Sequence, residues 1–300
     1  GMRILLLGAD GQLGQVLART LAPLGTVLPS TLDGRLPDGC AAELADLSKP
    51  ESLRPLVARL APDLVVNAAA HTAVDRAEDE PGLAHRINAE SPGVLSRACA
   101  EAGIGLVHFS TDYVFDGRAD RPWREDDPTA PLGVYGASKL AGEEAVREGG
   151  AAHQIFRLCW VYGPHGHNFL LTMLRLARER GELRVVDDQV GSPSSVLRIG
   201  EAVAAALRAG PERVGTWHLS AGGQTSWCGF ARAIFEGAVA RGLLPSAPRL
   251  EPVASADFPT RARRPAWSVL DNTVFTRDFG FHIGDWREGL DEVLDRLATG

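Results

Sequence analysis

Short apolar runs alternate with segments of helical period along the first half of the chain. Arg3–Leu7 is an apolar run closed by Gly8, and the periodic segment Gln15–Leu21 follows it. Strand, tight glycine turn and helix are predicted there. Further strands are expected at Thr26–Leu28, Asp63–Asn67, Gly105–Phe109 and Gln154–Val161. Ser52–Leu60, Pro81–Ala102 (with Ser91-Pro92 inside it) and Val134–Glu148 read as helices, and Leu32–Ala42 as a Gly/Pro/Asp-punctuated loop. Strand runs this apolar suit burial on both faces, so the expected class is α/β, a Rossmann-like doubly wound parallel sheet. Ligands of such sheets bind beyond the carboxyl ends of the strands. Gly8, Asn67–Ala70, Ser110–Asp112 and Trp160–Gly163 all fall at those ends.

After Pro164 the rhythm changes. Asn168–Arg180 is helical, Leu183–Val186 a short strand, Gly191–Ser195 a loop and Glu201–Ala209 a helix; Thr216–Ser220 is expected to return a strand to the sheet. From Gly222 the chain is richer in Pro, Trp and Arg and less regular. The reading is a dinucleotide-binding domain over residues 1–165, rejoined by about 190–220, with most of 166–300 forming a smaller lobe that closes over substrate.

Composition narrows the function. Three hundred residues with 45% apolar content are ample for a folded α/β chain, and a net charge of −7 with interleaved signs gives no nucleic-acid or anionic-membrane footprint. Cys40, Cys99, Cys159 and Cys228 lie far apart without a CxxC, as in reduced, mostly buried cysteines. The run Ile4–Leu7 is too short to span a bilayer, and no basic, apolar leader precedes it, so a cytoplasmic location is expected. The eight histidines are scattered and no carboxylate-rich cluster compels a metal; none is expected.

The chemistry concentrates in two places. Gly8-Ala-Asp-Gly11-Gln12-Leu13-Gly14 is a GxxGxxG turn between strand and helix, which lets backbone approach a pyrophosphate at the helix N-terminus. Tyr135 and Lys139 are four residues apart on one helix face. A lysine cation there is expected to favour phenolate and lower the tyrosine pKa, tuning it to protonate a carbonyl oxygen as hydride arrives. Thr111 at a strand end would share that oxygen, and Asp112 would contact substrate; the plainer reading of both is a turn or cap. The second strand ends in Pro29-Ser30-Thr31, with Asp33 and Arg35 beyond, leaving NADPH and NADH open with NADPH slightly favoured. Asp46, beside Leu47 at the end of the third strand, would bind the adenine amine or cap the next helix. Trp160 reads as core or as a sugar- or base-stacking surface, Asn168 as a helix cap or a diphosphate ligand, and Arg264 as a diphosphate partner or surface charge.

Together these motifs resemble the extended short-chain dehydrogenases that act on nucleotide sugars and, among them, the dTDP-4-dehydrorhamnose reductases. The resemblance covers nearly the whole chain, through Gly8–Gly14, Pro62–Glu78, His108–Phe115, Pro131–Glu143, Phe156–Gly163, Gly166–Phe169 and Arg264-Pro265. It implies hydride delivery from NAD(P)H to the C4 ketone of dTDP-4-dehydro-L-rhamnose, with Tyr135 as proton donor, Lys139 as its electrostatic partner and Thr111 adjusting the oxygen. Gly11–Leu13, Ala68, Ala69, Ala70, Tyr135 and Lys139 would hold the cofactor, and Thr111, Asp112 and Trp160 the sugar. A dTDP-sugar is the expected partner, with a homodimer among the expected arrangements. The related 4,6-dehydratases need an Asp-Glu pair after the threonine; Tyr113 follows Asp112 here, which disfavours dehydration. The Ser-Ser strand end of the epimerases is absent too. The chain departs from the family at Gln189–Ser195, where serines replace a Pro-Thr ending, and at the second strand, which lacks a frequent aspartate. A sister reductase of another 4-keto-6-deoxy nucleotide sugar and a non-catalytic NADP-binding regulatory subunit are the alternatives.

Overall fold

The computed structural model describes residues 1–300. In chain order the strands are β1 (Met2–Leu7), β2 (Gly25–Thr31), β3 (Glu43–Leu44), β4 (Leu64–Asn67), β5 (Gly105–Thr111), β6 (Ala152–Leu158), β7 (Val161–Tyr162), β8 (Glu182–Val186), β9 (Val190–Gly191), β10 (Ser194–Ser195), β11 (Gly215–His218), β12 (Thr225–Ser226) and β13 (Arg249–Val253). The helices are α1 (Gln12–Thr20), α2 (Leu53–Leu60), α3 (Val74–Asp79), α4 (Pro81–His85), α5 (Ser91–Ala102), α6 (Val134–Gly149), α7 (Phe169–Glu179), α8 (Val196–Ala209), α9 (Trp227–Ala240), α10 (Thr273–Phe279) and α11 (Trp286–Thr299).

Seven strands form one sheet in the order β11-β6-β5-β4-β1-β2-β3, and every pairing in it is parallel. Alternate residues of β1 feed two cores. Ile4 and Leu6 belong to the larger core, to which α1, α8, α9 and α11 also contribute, while Leu5 and Leu7 belong to the core shared with α2 and α5. All four are fully buried, and each such side chain contributes about 1.5–3 kcal/mol relative to exposure, which suits β1 to its interior position between β4 and β2. The returning strand expected at Thr216–Ser220 is β11, beside β6. The remaining short strands pair two by two outside the main sheet, β8 with β13 in parallel among them. No helix is long and apolar enough to cross a membrane.

Four local expectations need correction. The helix expected over Pro81–Ala102 is interrupted by a π turn at Arg86–Glu90. Pro92 has no N–H for the carbonyl of Asn88, and its ring crowds that carbonyl, so the helix widens by a residue. The strand expected over Gln154–Val161 breaks after Leu158, because Trp160 takes a left-handed backbone with φ of 45°. A bulky residue at positive φ is strained, and the turn it makes separates β6 from β7. The Gly191–Ser195 loop carries β9 and β10 at its two ends. The helix expected at Glu201 already begins at Val196, where the Ser195 side chain accepts from the Leu197 N–H.

Candidate active site

The end of β1 meets the end of β4 at the glycine turn. Gly8 has φ of 74°, and a Cβ there would lie 2.7 Å from the Ala69 nitrogen. A Cβ on Gly14 would lie 1.9 Å from the Gly8 carbonyl oxygen, so α1 sits directly on the turn. The first turn of α1 holds no acidic residue, and Gly11 caps it without a side chain. The N–H groups of Gln12, Leu13 and Gly14 precede the first helical donor, the Gln15 N–H that bonds the Gly11 carbonyl, and are available to an anion. The cradle therefore fits the pyrophosphate of a dinucleotide. Ala68, Ala69 and Ala70 form its facing wall, fixed where Asn67 Oδ1 accepts from Ala69 N at 3.2 Å and Asn88 Oδ1 from His71 N at 2.8 Å. Asp46 Oδ1 accepts from the Ser48 N–H and hydroxyl in a local turn and does not cap the next helix, which begins after Lys49 without a side-chain cap. Leu47 points into the core with its carbonyl bonded by Ser91.

Beyond β5 the structure brings Thr111, Asp112, Tyr135 and Lys139 together. Thr111 lies near Tyr135; its hydroxyl accepts from the Tyr113 N–H at 3.1 Å as the cap of the following 3-10 turn and donates to Asp112 Oδ1 at 3.4 Å. Tyr113 packs edge-on against the Tyr135 ring, with centroids 5.3 Å apart. Lys139 is buried and its Nζ donates to the Phe109 carbonyl at 2.7 Å. The expected lowering of the Tyr135 pKa is not what the structure shows. Burial pushes the phenol up from its ordinary value near 10, Tyr113 and Asp112 push the same way, and the Thr111 contact offsets only part. The lysine does not lower it. Burial lowers Lys139 itself to about 8. Asp112 is raised to about 7, again chiefly by burial, and its Oδ2 is buried without a partner.

A cavity of about 890 Å³, lined by Phe169, Trp227 and Phe258 with Arg180, Arg184, Arg264, Glu182 and Glu251, includes none of Thr111, Asp112, Tyr135 and Lys139 in its wall and is linked to them through Arg264. Arg264 joins the two sites. It donates to the Tyr113 hydroxyl at 3.2 Å and pairs with Asp75 at 2.8 Å. Trp160 stacks flat on Trp227 at 3.6 Å, so Trp227 forms the cavity wall and Trp160 backs it. Asn168 caps α7 by accepting from the Leu171 N–H, and its amide donates to Gln12, Gly163 and His165, all within the chain.

The family model described as RmlD substrate binding domain matches residues 2–299. The dTDP-4-dehydrorhamnose reductase of Shigella flexneri is 45% identical, over 99% of this chain and 99% of its own. That of Burkholderia thailandensis is 46% identical, over 95% of this chain and 96% of its own. The chain belongs to the dTDP-4-dehydrorhamnose reductase family. Two crystal structures of enzymes with that name superpose closely. The Clostridium acetobutylicum reductase gives a TM-score of 0.89 at 35% identity, covering 99% of each chain. The Bacillus anthracis reductase, in complex with NADP, gives 0.88 at 33% identity, covering 98% of this chain and 99% of its own. As a member of this family the chain is an NAD(P)H-dependent oxidoreductase built on a Rossmann-type fold.

The departing segment Gln189–Ser195 makes polar contacts of its own. Gln189 accepts from the Trp227 indole N–H at 3.1 Å, and Ser194 accepts from the Ala221 N–H at 2.9 Å. Sequence reasoning missed Trp227, Asn88, Asp75 and the pair Glu143–Arg157. Asn88 bonds both the 68–71 loop and Ser138 on α6, and the signal for it was Pro92, four residues later. Arg157 carried a signal as well, a charge inside the apolar strand Phe156–Leu158.

Proposed function

We propose that this chain reduces the C4 ketone of dTDP-4-dehydro-L-rhamnose to dTDP-L-rhamnose, with NADPH preferred and NADH accepted. The observation that carries the reading is the joint placement of Thr111 and Tyr135 at the β5 end, beside the glycine cradle and linked through Arg264 to the arginine-lined cavity. A reduced nicotinamide dinucleotide held by the Gly8–Gly14 turn and the 68–70 wall would supply the hydride chemistry at the carbonyl carbon. Tyr135, kept neutral by its buried setting, gives its hydroxyl proton to the carbonyl oxygen, and the Thr111 hydroxyl shares that oxygen. The Lys139 ammonium lies one helical turn away and is assigned the role of stabilising the negative charge left on Tyr135 as its proton leaves in the reacting complex; in the free chain it does not lower the phenol pKa. Asp112, with one carboxyl oxygen unpaired, suits a sugar hydroxyl.

The cavity suits the nucleoside diphosphate. Its volume falls in the range of small-ligand sites, Trp227 and Phe169 offer flat apolar surface to a base, and Arg264 offers a planar fork to phosphate oxygens. The NADPH preference is supported by Ser30 and Thr31 at the β2 end, where the Asp33 carboxylate is taken up by Thr31 and the Arg35 N–H while the Arg35 side chain stays exposed. The test is oxidation of NADPH and NADH with the 4-keto sugar generated in situ by a 4,6-dehydratase and a 3,5-epimerase. Oxidation that depends on the epimerase is expected, faster with NADPH. Oxidation without the epimerase would assign a sister 4-keto-6-deoxy sugar, and cofactor binding without any oxidation would assign a regulatory role.

A further inference from the structure

Tyr135, Lys139, Glu143 and Arg147 recur at four-residue steps and share one face of α6. The first two face the reacting end, yet Glu143 is the most deeply buried charge of the set, at 0% exposure. A carboxylate in that position is costly unless its oxygens are fully met. They are. Oε1 accepts from Arg157 Nη2 at 2.7 Å and from Arg147 Nη2 at 2.9 Å. Oε2 accepts from Arg157 Nε at 2.9 Å and from the Ser110 hydroxyl at 2.5 Å. Arg157 is held in turn by His218 Nε2 at 3.2 Å and lies over the Phe115 ring.

Ser110 and Arg157 face each other in register across β5 and β6. Three consecutive residues of β5 are thereby set against α6. Phe109 offers its carbonyl to Lys139, Ser110 bonds Glu143, and Thr111 lies near Tyr135. We propose that Glu143, held by Arg157, is a positioning residue for the reduction. Through Ser110 it fixes the strand end carrying Thr111 against Tyr135, and it supplies the carboxylate that balances the Lys139 ammonium one turn away. The proposal rests on the roles given above to Tyr135 and Lys139.

Burial lowers the pKa of the ammonium, and Glu143 is the neighbour that opposes this shift. The other titratable groups on elements packed against α6 are His108 on β5, Asp112 and Tyr113 in the turn after it, and His153 and Arg157 on β6. On the helices they are Asp75, Arg76, Glu78 and Asp79 of α3, His85 of α4, Arg86 and Glu90 of the π turn, and Arg97, Cys99 and Glu101 of α5. None of these shifts the lysine.

Two variants test the proposal. Glu143→Gln keeps the shape and an acceptor but removes the charge; Ser110→Ala keeps the ion pair and cuts the tie to β5. For Glu143→Gln, kcat is expected to fall roughly 10- to 100-fold, with NADPH affinity within about threefold of the parent. The alkaline limb of its kcat–pH profile should move down by about one unit, since an ammonium without its carboxylate loses its proton earlier. For Ser110→Ala, kcat should fall about tenfold with KM and the pH limb unmoved. A merely structural pair would lower Tm without shifting the limb. An unmoved limb in Glu143→Gln overturns the electrostatic half, and unchanged kcat in Ser110→Ala overturns the positional half even if Glu143→Gln does not fold. Tyr135→Phe serves as the separate control: if it keeps turnover, the underlying reading has failed, independently of Glu143.

Discussion

The two walls of the cleft are built differently. On one side, Ser110, Thr111, Asp112, Lys139 and Glu143 are all at most 6% exposed, and their bonds run through the sheet. On the other, the segment around residues 260–264 is fastened to α3 by ion pairs that solvent reaches. Arg264 and Asp75 are 26% and 44% exposed, and Arg261 and Asp79 are 58% and 65% exposed. Surface pairs of that kind are worth about 0–1 kcal/mol, whereas breaking a buried pair costs about 3–5 kcal/mol. The first wall therefore cannot shift without large loss, and the second can part and re-form cheaply. On the proposed function, proton transfer needs atoms fixed to within a fraction of an ångström, while a diphosphate must enter and leave. The difference in burial suits the two walls to those tasks.

Lys139→Met should separate the walls most strongly. The amine is charged below its pKa of about 8, so the parent rate is expected to fall as pH rises through that value. The variant should lose that alkaline limb and on the order of 100-fold in kcat, with KM little changed. Arg264→Ala should act the other way, raising KM about tenfold through the lost charge-assisted bonds while kcat stays within about threefold. Steady-state kinetics on both variants checks the contrast. A drop in kcat for Arg264→Ala equal to that of Lys139→Met would erase it.

The division of labour was only partly legible in the sequence. Ile4–Leu7, Leu64–Val66 and the glycine turn announced the sheet and its cofactor edge because apolar runs and glycines are local signals. Tyr135, Lys139 and Thr111 were legible through spacing and strand-end position. Burial was not. Whether a phenol rises or falls depends on what encloses it: burial first, then Tyr113 and Asp112, raise Tyr135, and the lysine four residues away does not lower it. Trp160 was singled out by its place at a strand end, yet its positive φ turns it behind Trp227, which lies 67 positions further along. The π turn shows the converse case, since Pro92 was visible and its consequence at Asn88 followed from a missing N–H.

The most direct test of the account is Tyr135→Phe, which removes one oxygen and leaves the ring against Tyr113. Cofactor affinity and turnover of the 4-keto nucleotide sugar would be measured on the same preparation. The account predicts NADPH binding close to that of the parent and turnover lower by about 10²- to 10⁴-fold. Turnover within a few-fold of the parent would contradict it and require another proton donor at the β5 end.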